Sequence, residues 1–347
     1  MKKKRTIYHI ASELGLSPGT ISKIINNTGK VSDETRKRVL EHIKAVGYVP
    51  AISARNLKSK NTKTIGVVFT EELDIGLEHS FFSSILQHFK SFVENEGYEL
   101  SFIVSKLGQN RLSYLDWCRN KRVDGVFIVV GNYNDQGIYE LIQSEIPCIS
   151  TDMILDGLHT VVSDNELAVK MVLNYIKQSL NKKHVAMIVG PQQSKAFQER
   201  YVAFQQYAES LGLTYSNQDI AFSQGFGFTS GFNATMELFD ANKSTAEVVF
   251  VSSDDIALGV LKALKTLGKR VPEDVQVIGF DDLPVSRFVT PALTTVAQNR
   301  KALGEEAAKI LIRLIERPDM KQPEIVKIPV TLTIRESTLE KTTGPSK

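Results

Sequence analysis

Hydrophobic positions follow two rhythms along this chain. Over the first fifty residues they recur every three or four positions. Beyond residue 64 they come as short unbroken runs separated by amphipathic stretches. The first rhythm predicts helices. Ile7, Ile10, Ala11 and Leu14 fall on one face, with Thr6 placed to cap the helix and Gly15 where a left-handed end wants glycine. Ser17 can cap a second helix, and Pro18 fits its first turn because no N–H is needed there. Ile21, Ile24 and Ile25 form its buried stripe. Gly19, Thr20, Ser22, Lys23 and Asn26 point outward, and such small, polar or basic residues suit a helix lying in a DNA major groove. A generic helical hairpin is the plainer alternative. Ser32 then caps a third helix with acidic residues in its first turn, Val39, Ile43 and Val46 close over the first two, and Gly47 ends it. Pro50 to Leu57 reads as a helix too short to hold itself together in water, followed by the polar linker Lys58 to Lys63.

The second rhythm predicts strands buried on both faces. The runs are Ile65–Phe69, Leu100–Val104, Gly125–Val130 and Pro147–Ser150, then Val185–Val189, Ile220–Phe222, Val248–Val251 and Val275–Phe280. Amphipathic helices fit between them, for example Phe82–Glu96, Leu167–Leu180, Arg200–Leu211 and Ile256–Leu267. Strand–helix alternation in two series argues for two open, doubly wound parallel sheets.

Charge sharpens the division. The net charge of +3 hides a basic head: residues 1–63 hold 14 Lys and Arg against 4 Asp and Glu, a net of +10, and the remainder holds 28 against 35, a net of −7. A basic head on a mildly acidic body suits a phosphate-binding module joined to something else. Two cysteines, Cys118 and Cys148, in 347 residues suggest a reducing compartment. Met1-Lys-Lys-Lys-Arg5 leads into a polar helix and not an apolar run, and no stretch is long and apolar enough to span a bilayer, so a cytoplasmic protein is expected.

With these pieces in order, Thr6 to Leu57 resembles the DNA-binding head of the LacI/GalR family of bacterial transcriptional regulators. The matching segments are Ile7–Ala11, Ser17–Lys23, Asn26-Asn27, Val31–Arg36, Gly47–Pro50 and Ala54–Leu57, and the resemblance continues to about residue 340. It implies operator contacts from Thr6, Ser17, Pro18, Gly19, Thr20, Ser22, Lys23, Asn26, Ala54 and Leu57. Pro18 and Gly19 stand where family side chains select bases, and neither carries a polar side chain. Lys23 stands where arginine is usual, and lysine lacks the planar fork that grips guanine. Ala51 replaces the usual Asn after the hinge proline. Leu57 is expected to wedge into the minor groove.

The resemblance also implies a body built like periplasmic sugar-binding proteins, with the chain crossing between halves near 161–163, 288–292 and 322–326. The expected organisation is a helix-turn-helix head over 1–49 and a hinge and linker over 50–63. The body is expected over 64–340, its N-subdomain about 64–161 plus 291–323 and its C-subdomain about 162–290 plus 324–340. Residues 341–347 are expected to be a disordered tail. Ligands of open α/β sheets bind at the carboxyl ends of strands. By resemblance, Phe81, Phe82, Asp152, Arg200, Phe226, Ser253 and Asp281 contact a small effector. His79-Ser80 stands where the family usually has Asn-Pro, and Ser253 where Asn is common, so the rim chemistry is expected to differ. Asp254 and Asp282 read as helix caps or structural acceptors, Gly225-Phe-Gly227 as a turn, and Ser194 has no nucleophile elbow around it.

The resemblance implies a homodimeric operator-binding regulator, a repressor, controlled by a small molecule, with no cofactor, no metal and no membrane partner. A sugar or sugar derivative fits two carboxylates, an arginine and an aromatic face, with a purine or nucleoside as alternative. The competing classes are a cytosolic small-molecule-binding protein and an enzyme with a nucleotide-type fold.

Overall fold

A computed structural model describes residues 5–25, 28–48, 61–69, 76–104, 106–107, 109–240, 243–319 and 322–340. Asn26, Ala51, Ala54, Leu57 and the tail 341–347 therefore lie outside the described residues. The chain divides into two compact units, the first ending at Thr62 and the second beginning at Lys63.

Among the described residues, the first unit holds three helices, α1 (Ile7–Leu14), α2 (Pro18–Ile25) and α3 (Asp33–Val46). Its core is Ile10, Ala11, Ile21, Ile24 and Val39, the residues that the helical periodicity singled out, with Ile7, Leu14, Ile25, Ile43 and Val46 packed against them. The caps are local. Thr6 N–H donates to His9 Nδ1 at 3.2 Å, Ser17 Oγ accepts from Thr20 N–H at 3.1 Å, and Ser32 Oγ accepts from Thr35 N–H at 3.3 Å. Gly15 and Gly47 end α1 and α3 at φ 66° and 63°, a region where a side chain would be strained. Glu13 joins α1 to α3, 3.0 Å from Arg5 and 2.7 Å from His42.

The second unit contains two six-stranded sheets. The first takes β1 (Thr64–Phe69), β2 (Glu99–Ile103), β5 (Gly125–Val130), β6 (Cys148–Ser150), β7 (His159–Ser163) and β13 (Ile325–Ile328), with β3 (Lys106–Leu107) and β4 (Asn110–Arg111) as a small separate ribbon. All its strands pair in parallel. Its helices are α4 (Ser80–Asn95), α5 (Tyr114–Lys121), α6 (Gln136–Ile142) and α11 (Arg300–Glu316). Alternation sorts the strands' two faces. Ile65, Val67, Phe127 and Val129 pack with α4 and α11, where Phe89 stacks on Phe127 at 4.0 Å. Val68, Val126 and Ile128 pack with Cys118 of α5 and Ile138 and Leu141 of α6.

The second sheet takes β8 (Val185–Val189), β9 (Ile220–Phe222), β10 (Val248–Val251), β11 (Gln276–Asp281), β12 (Thr294–Ala297) and β14 (Thr331–Thr333). Its helices are α7 (Asn165–Gln178), α8 (Lys195–Ser210), α9 (Phe228–Phe239) and α10 (Asp254–Thr266). Val185, Met187, Phe250 and Phe280 face α7 and α8, and Ala186, Ile188, Val249 and Val251 face α9 and α10. Helices α9 and α10 approach through glycines: a Cβ on Gly231 would lie 2.1 Å from Ile256 O, and one on Gly259 2.1 Å from Phe228 O.

Two expected boundaries need correction. The chain leaves the first sheet after Ser163, close to the expected crossing. It returns only after β12, because Ile278 to Asp281 pair in parallel with Thr294 to Ala297; the crossing expected near 288–292 lies beyond Ala297, so 291–297 belong to the C-subdomain. The third crossing, expected near 322–326, follows β13, because Ile325 to Ile328 pair with Thr160 to Ser163 of the first sheet. Strand β14 then closes the second sheet as its one antiparallel edge.

Candidate functional site

On the first unit, α2 presents Gly19 and Lys23 exposed and Thr20 and Ser22 half-buried, beside exposed Ser17 and half-buried Pro18; Thr6 is exposed at the start of α1. Ser17 is occupied by capping, since its Oγ also meets Thr20 Oγ1 at 2.9 Å. The exposed surface of α2 carries one cation, Lys23.

In the second unit, all seven residues expected at the effector site line one cleft between the subdomains: Phe81, Phe82, Asp152, Arg200, Phe226, Ser253 and Asp281. They arrive on six different elements. Phe81 and Phe82 open α4, Asp152 follows β6, Arg200 lies on α8, Phe226 precedes α9, Ser253 caps α10 by accepting from Ile256 N–H at 3.4 Å, and Asp281 ends β11. Phe226 packs against the apolar cores of both subdomains.

Arg200 is fixed by its surroundings. Nε donates to Asn165 Oδ1 at 2.8 Å, Nη1 donates to the Ser252 carbonyl at 2.6 Å, and the guanidinium lies 3.5 Å from the Phe280 ring centroid. Burial pushes its pKa down to about 10, against the opposing pull of Asp281, Glu199, Asp152 and Asp254. Asp281 is buried at the unusual φ of 124°, and its Oδ1 accepts from Gln298 Nε2 at 2.5 Å. Desolvation pushes its carboxyl up to about 8 and that of Asp152 up to about 7, both against the pull of Arg200. The cleft therefore holds two carboxyls that change charge near neutrality around one fixed cation.

Asp254 and Asp282 are structural acceptors. Asp254 Oδ2 takes hydrogen bonds from Leu283 N–H at 2.9 Å and Ser286 Oγ at 2.6 Å, and Oδ1 takes one from Thr295 Oγ1 at 2.6 Å. Asp282 pairs with Arg335 and, at 3.5 Å, with Arg287. Among the described residues no group of three or more His, Cys, Asp and Glu side chains is arranged to hold a metal.

The cleft also takes in Tyr133, Gln193, Ser194, Phe197 and Gln298, which the sequence reading did not assign to it. Tyr133 and Gln193 follow β5 and β8 by a few residues, so the strand-end rule could have found them. Gln298 follows β12, which the sequence did not reveal.

Residues 6–51 match the family described as bacterial regulatory proteins, lacI family, and residues 178–338 match the periplasmic binding protein-like domain. The HTH-type transcriptional repressor PurR of Haemophilus influenzae is 30% identical over 341 residues, covering 96% of this chain and 98% of the relative. The chain belongs to the lacI family. Catabolite control protein A of Priestia megaterium is 29% identical over 340 residues, covering 96% and 99%. Among solved structures, the lac repressor dimer bound to operator and the anti-inducer ONPF shares the fold, with a TM-score of 0.83 at 23% identity over 97% of this chain and 100% of that one. The transcriptional regulator CelR–cellobiose complex superposes with a TM-score of 0.70 at 26% identity over 96% and 99%. The lacI-family chain described here is a DNA-binding transcriptional repressor with an effector-binding body. Its family consists of transcriptional regulators, not enzymes.

Proposed function

We propose that the effector of this repressor is a sugar or sugar derivative, and that the protein binds its operator as a homodimer in the cytoplasm, without enzymatic activity. The observation that carries the ligand reading is the convergence of Asp152, Arg200 and Asp281 on one cleft walled by Phe81, Phe82, Phe197 and Phe226. Carboxylates and a guanidinium suit neighbouring hydroxyls, and aromatic rings suit the apolar face of a sugar ring. The aromatic wall also favours a second reading, a purine or nucleoside stacked between rings.

The dimer reading rests on edges. Strand β2 bounds the first sheet and β9 the second, and exposed Phe102 with Val104 and exposed Phe222 sit there. Apolar residues on open strand edges call for a covering partner. Two bodies joined along these edges would set two heads on the halves of a near-palindromic operator. Ala54 and Leu57 carry the hinge part of the proposal, Leu57 as a wedge at the operator centre. No described helix is long and apolar enough to cross a membrane.

The test is an operator retention assay under a panel of sugars and nucleosides, with wild type, Arg200→Ala and Asp281→Ala. A sugar that changes wild-type retention and leaves both variants unmoved is the expected result. A response to nucleosides alone rejects the sugar reading, and unchanged responses in both variants reject the site.

A further inference from the structure

The effector cleft is notable for the sign of its charges. Arg200 is the one fixed cation among the described residues that line it, and no lysine does. Its Nε and Nη1 are directed to Asn165 and to the Ser252 carbonyl. Four carboxyl groups act on it: Asp281, Glu199, Asp152 and Asp254. Asp255 faces the cleft mouth from α10, opposite His79, which precedes α4. Burial holds His79 toward its neutral form, and Tyr133 stays a neutral phenol, again through burial.

We infer that this cleft takes an uncharged ligand and rejects the phosphate ester of the same compound. The inference rests on reading the cleft as the effector site. A phosphate dianion placed here leaves water to face more carboxyls than cations, and Arg200 spends Nε and Nη1 on framework acceptors, so only part of one guanidinium is left to meet it. Burying a charge without a partner is strongly unfavourable in such surroundings. A polyhydroxyl ligand meets the opposite situation. Its O–H groups donate to Asp152 and Asp281, and its oxygens accept from Gln298, Gln193 and Ser253, which also line the cleft.

The carboxyls supply a second, independent signature. With Asp152 pushed up to about 7 and Asp281 to about 8 by burial, both carboxyls are partly protonated at pH 7.5. Hydroxyl donors favour the carboxylate form, so an uncharged polyol drives protons out on binding. An anionic ligand favours the protonated form and draws protons in.

Calorimetric titration of the full chain at pH 7.5, in two buffers of different ionisation enthalpy, reads affinity and proton exchange together. The probes are glucose, ribose and adenosine, with glucose 6-phosphate, ribose 5-phosphate, adenosine monophosphate and inorganic phosphate. Each compound that binds is expected to do so at least about 100-fold more tightly than its ester, with net proton release. In Asp281→Asn the ratio of the two affinities should narrow about tenfold, where a merely structural role would weaken both members equally. An ester that binds as tightly as its parent, proton uptake, or an unchanged ratio in Asp281→Asn overturns the inference. Adenosine binding in preference to both sugars would reject the sugar reading and leave the exclusion of phosphate standing; tight glucose 6-phosphate binding would do the reverse.

Discussion

His79 Nε2 lies 3.7 Å from Asp255 Oδ2, and the two residues belong to opposite subdomains. His79 precedes α4 of the first sheet's layer, and Asp255 sits in the first turn of α10 in the second. The imidazole packs 5.1 Å from the Phe82 ring, and its Nδ1 is buried with no hydrogen-bond partner. The pair thus spans the cleft mouth at the position where the family resemblance led us to expect altered rim chemistry. Burial keeps His79 toward its neutral form, so the contact is an ion pair only when the imidazole is protonated, and then contributes about 0.2–1 kcal/mol.

The pair predicts a pH effect whose sign is set by burial. Desolvation lowers the pKa of His79 from its ordinary 6.5, more than Asp255 raises it. The unfolded chain then binds more protons than the folded one in that window. The stabilising contribution of His79 is complete above about 6.5 and is lost as pH falls through its lowered folded value. Asp255, raised from its ordinary 3.8 by burial against the pull of His79, acts with the opposite sign: its contribution is complete below 3.8 and is lost as pH rises through its folded value. Urea unfolding between pH 5 and 6.5 should show wild type losing more stability on acidification than His79→Gln. Superimposable pH profiles would rule out the effect.

The head and the central strands were legible because their signals are local. Caps, left-handed glycines and a three-to-four period lie within a few residues of each other, and the central strands are unbroken apolar runs. Strand β12 was not legible. Thr294 and Thr295 are fully buried, yet they look polar because their partners are distant: Thr294 Oγ1 meets Thr338 Oγ1 at 2.8 Å, and Thr295 Oγ1 donates to Asp254 at 2.6 Å. Missing β12 displaced the second crossing and hid Gln298. Strand β13 was missed for a related reason. It is a four-residue edge with Ile325 half-exposed, and only its pairing with β7 assigns it to the first sheet.

Asp152 and Asp281 predict alkaline weakening of the ligand-free protein. Burial raises both carboxyls, to about 7 and about 8 from 3.8. A raised folded pKa gives stability that is complete below the unfolded value and lost as pH rises through the folded one. Melting temperature should therefore fall between pH 6.5 and 8.5. One pKa unit corresponds to about 1.4 kcal/mol, so a loss of several degrees is expected. Asp152→Asn with Asp281→Asn should flatten the decline; a double variant that declines as steeply as wild type would assign the effect elsewhere.

Gly259→Ala should destabilise the body without touching the head. The new methyl would lie 2.1 Å from Phe228 O and 2.5 Å from Phe232 N, both backbone atoms that cannot swing aside. Helices α9 and α10 must separate, at a cost of roughly 3 kcal/mol. Thermal unfolding followed by circular dichroism should show a melting temperature lowered by several degrees. A variant within a degree of wild type would mean that the helices slide past the methyl at no cost.

Lys23 is exposed on α2 and takes no part in the head's core, which consists of Ile10, Ala11, Ile21, Ile24 and Val39. Lys23→Ala should therefore leave the head folded and act on DNA binding alone. An ammonium group is a point charge on a flexible stem, without the planar fork that grips two acceptors of a guanine. If it serves mainly to hold phosphate, removing it should weaken binding about tenfold on the operator and on base-substituted operators alike. The slope of log affinity against log salt should shrink by about one. Lys23→Arg should keep the salt slope and add discrimination of about 1–3 kcal/mol at one guanine. Fluorescence anisotropy at several salt concentrations, with the operator and single-base variants, measures all three quantities. A loss in Lys23→Ala confined to one base pair, with the salt slope unchanged, would make Lys23 a base reader and not a phosphate anchor.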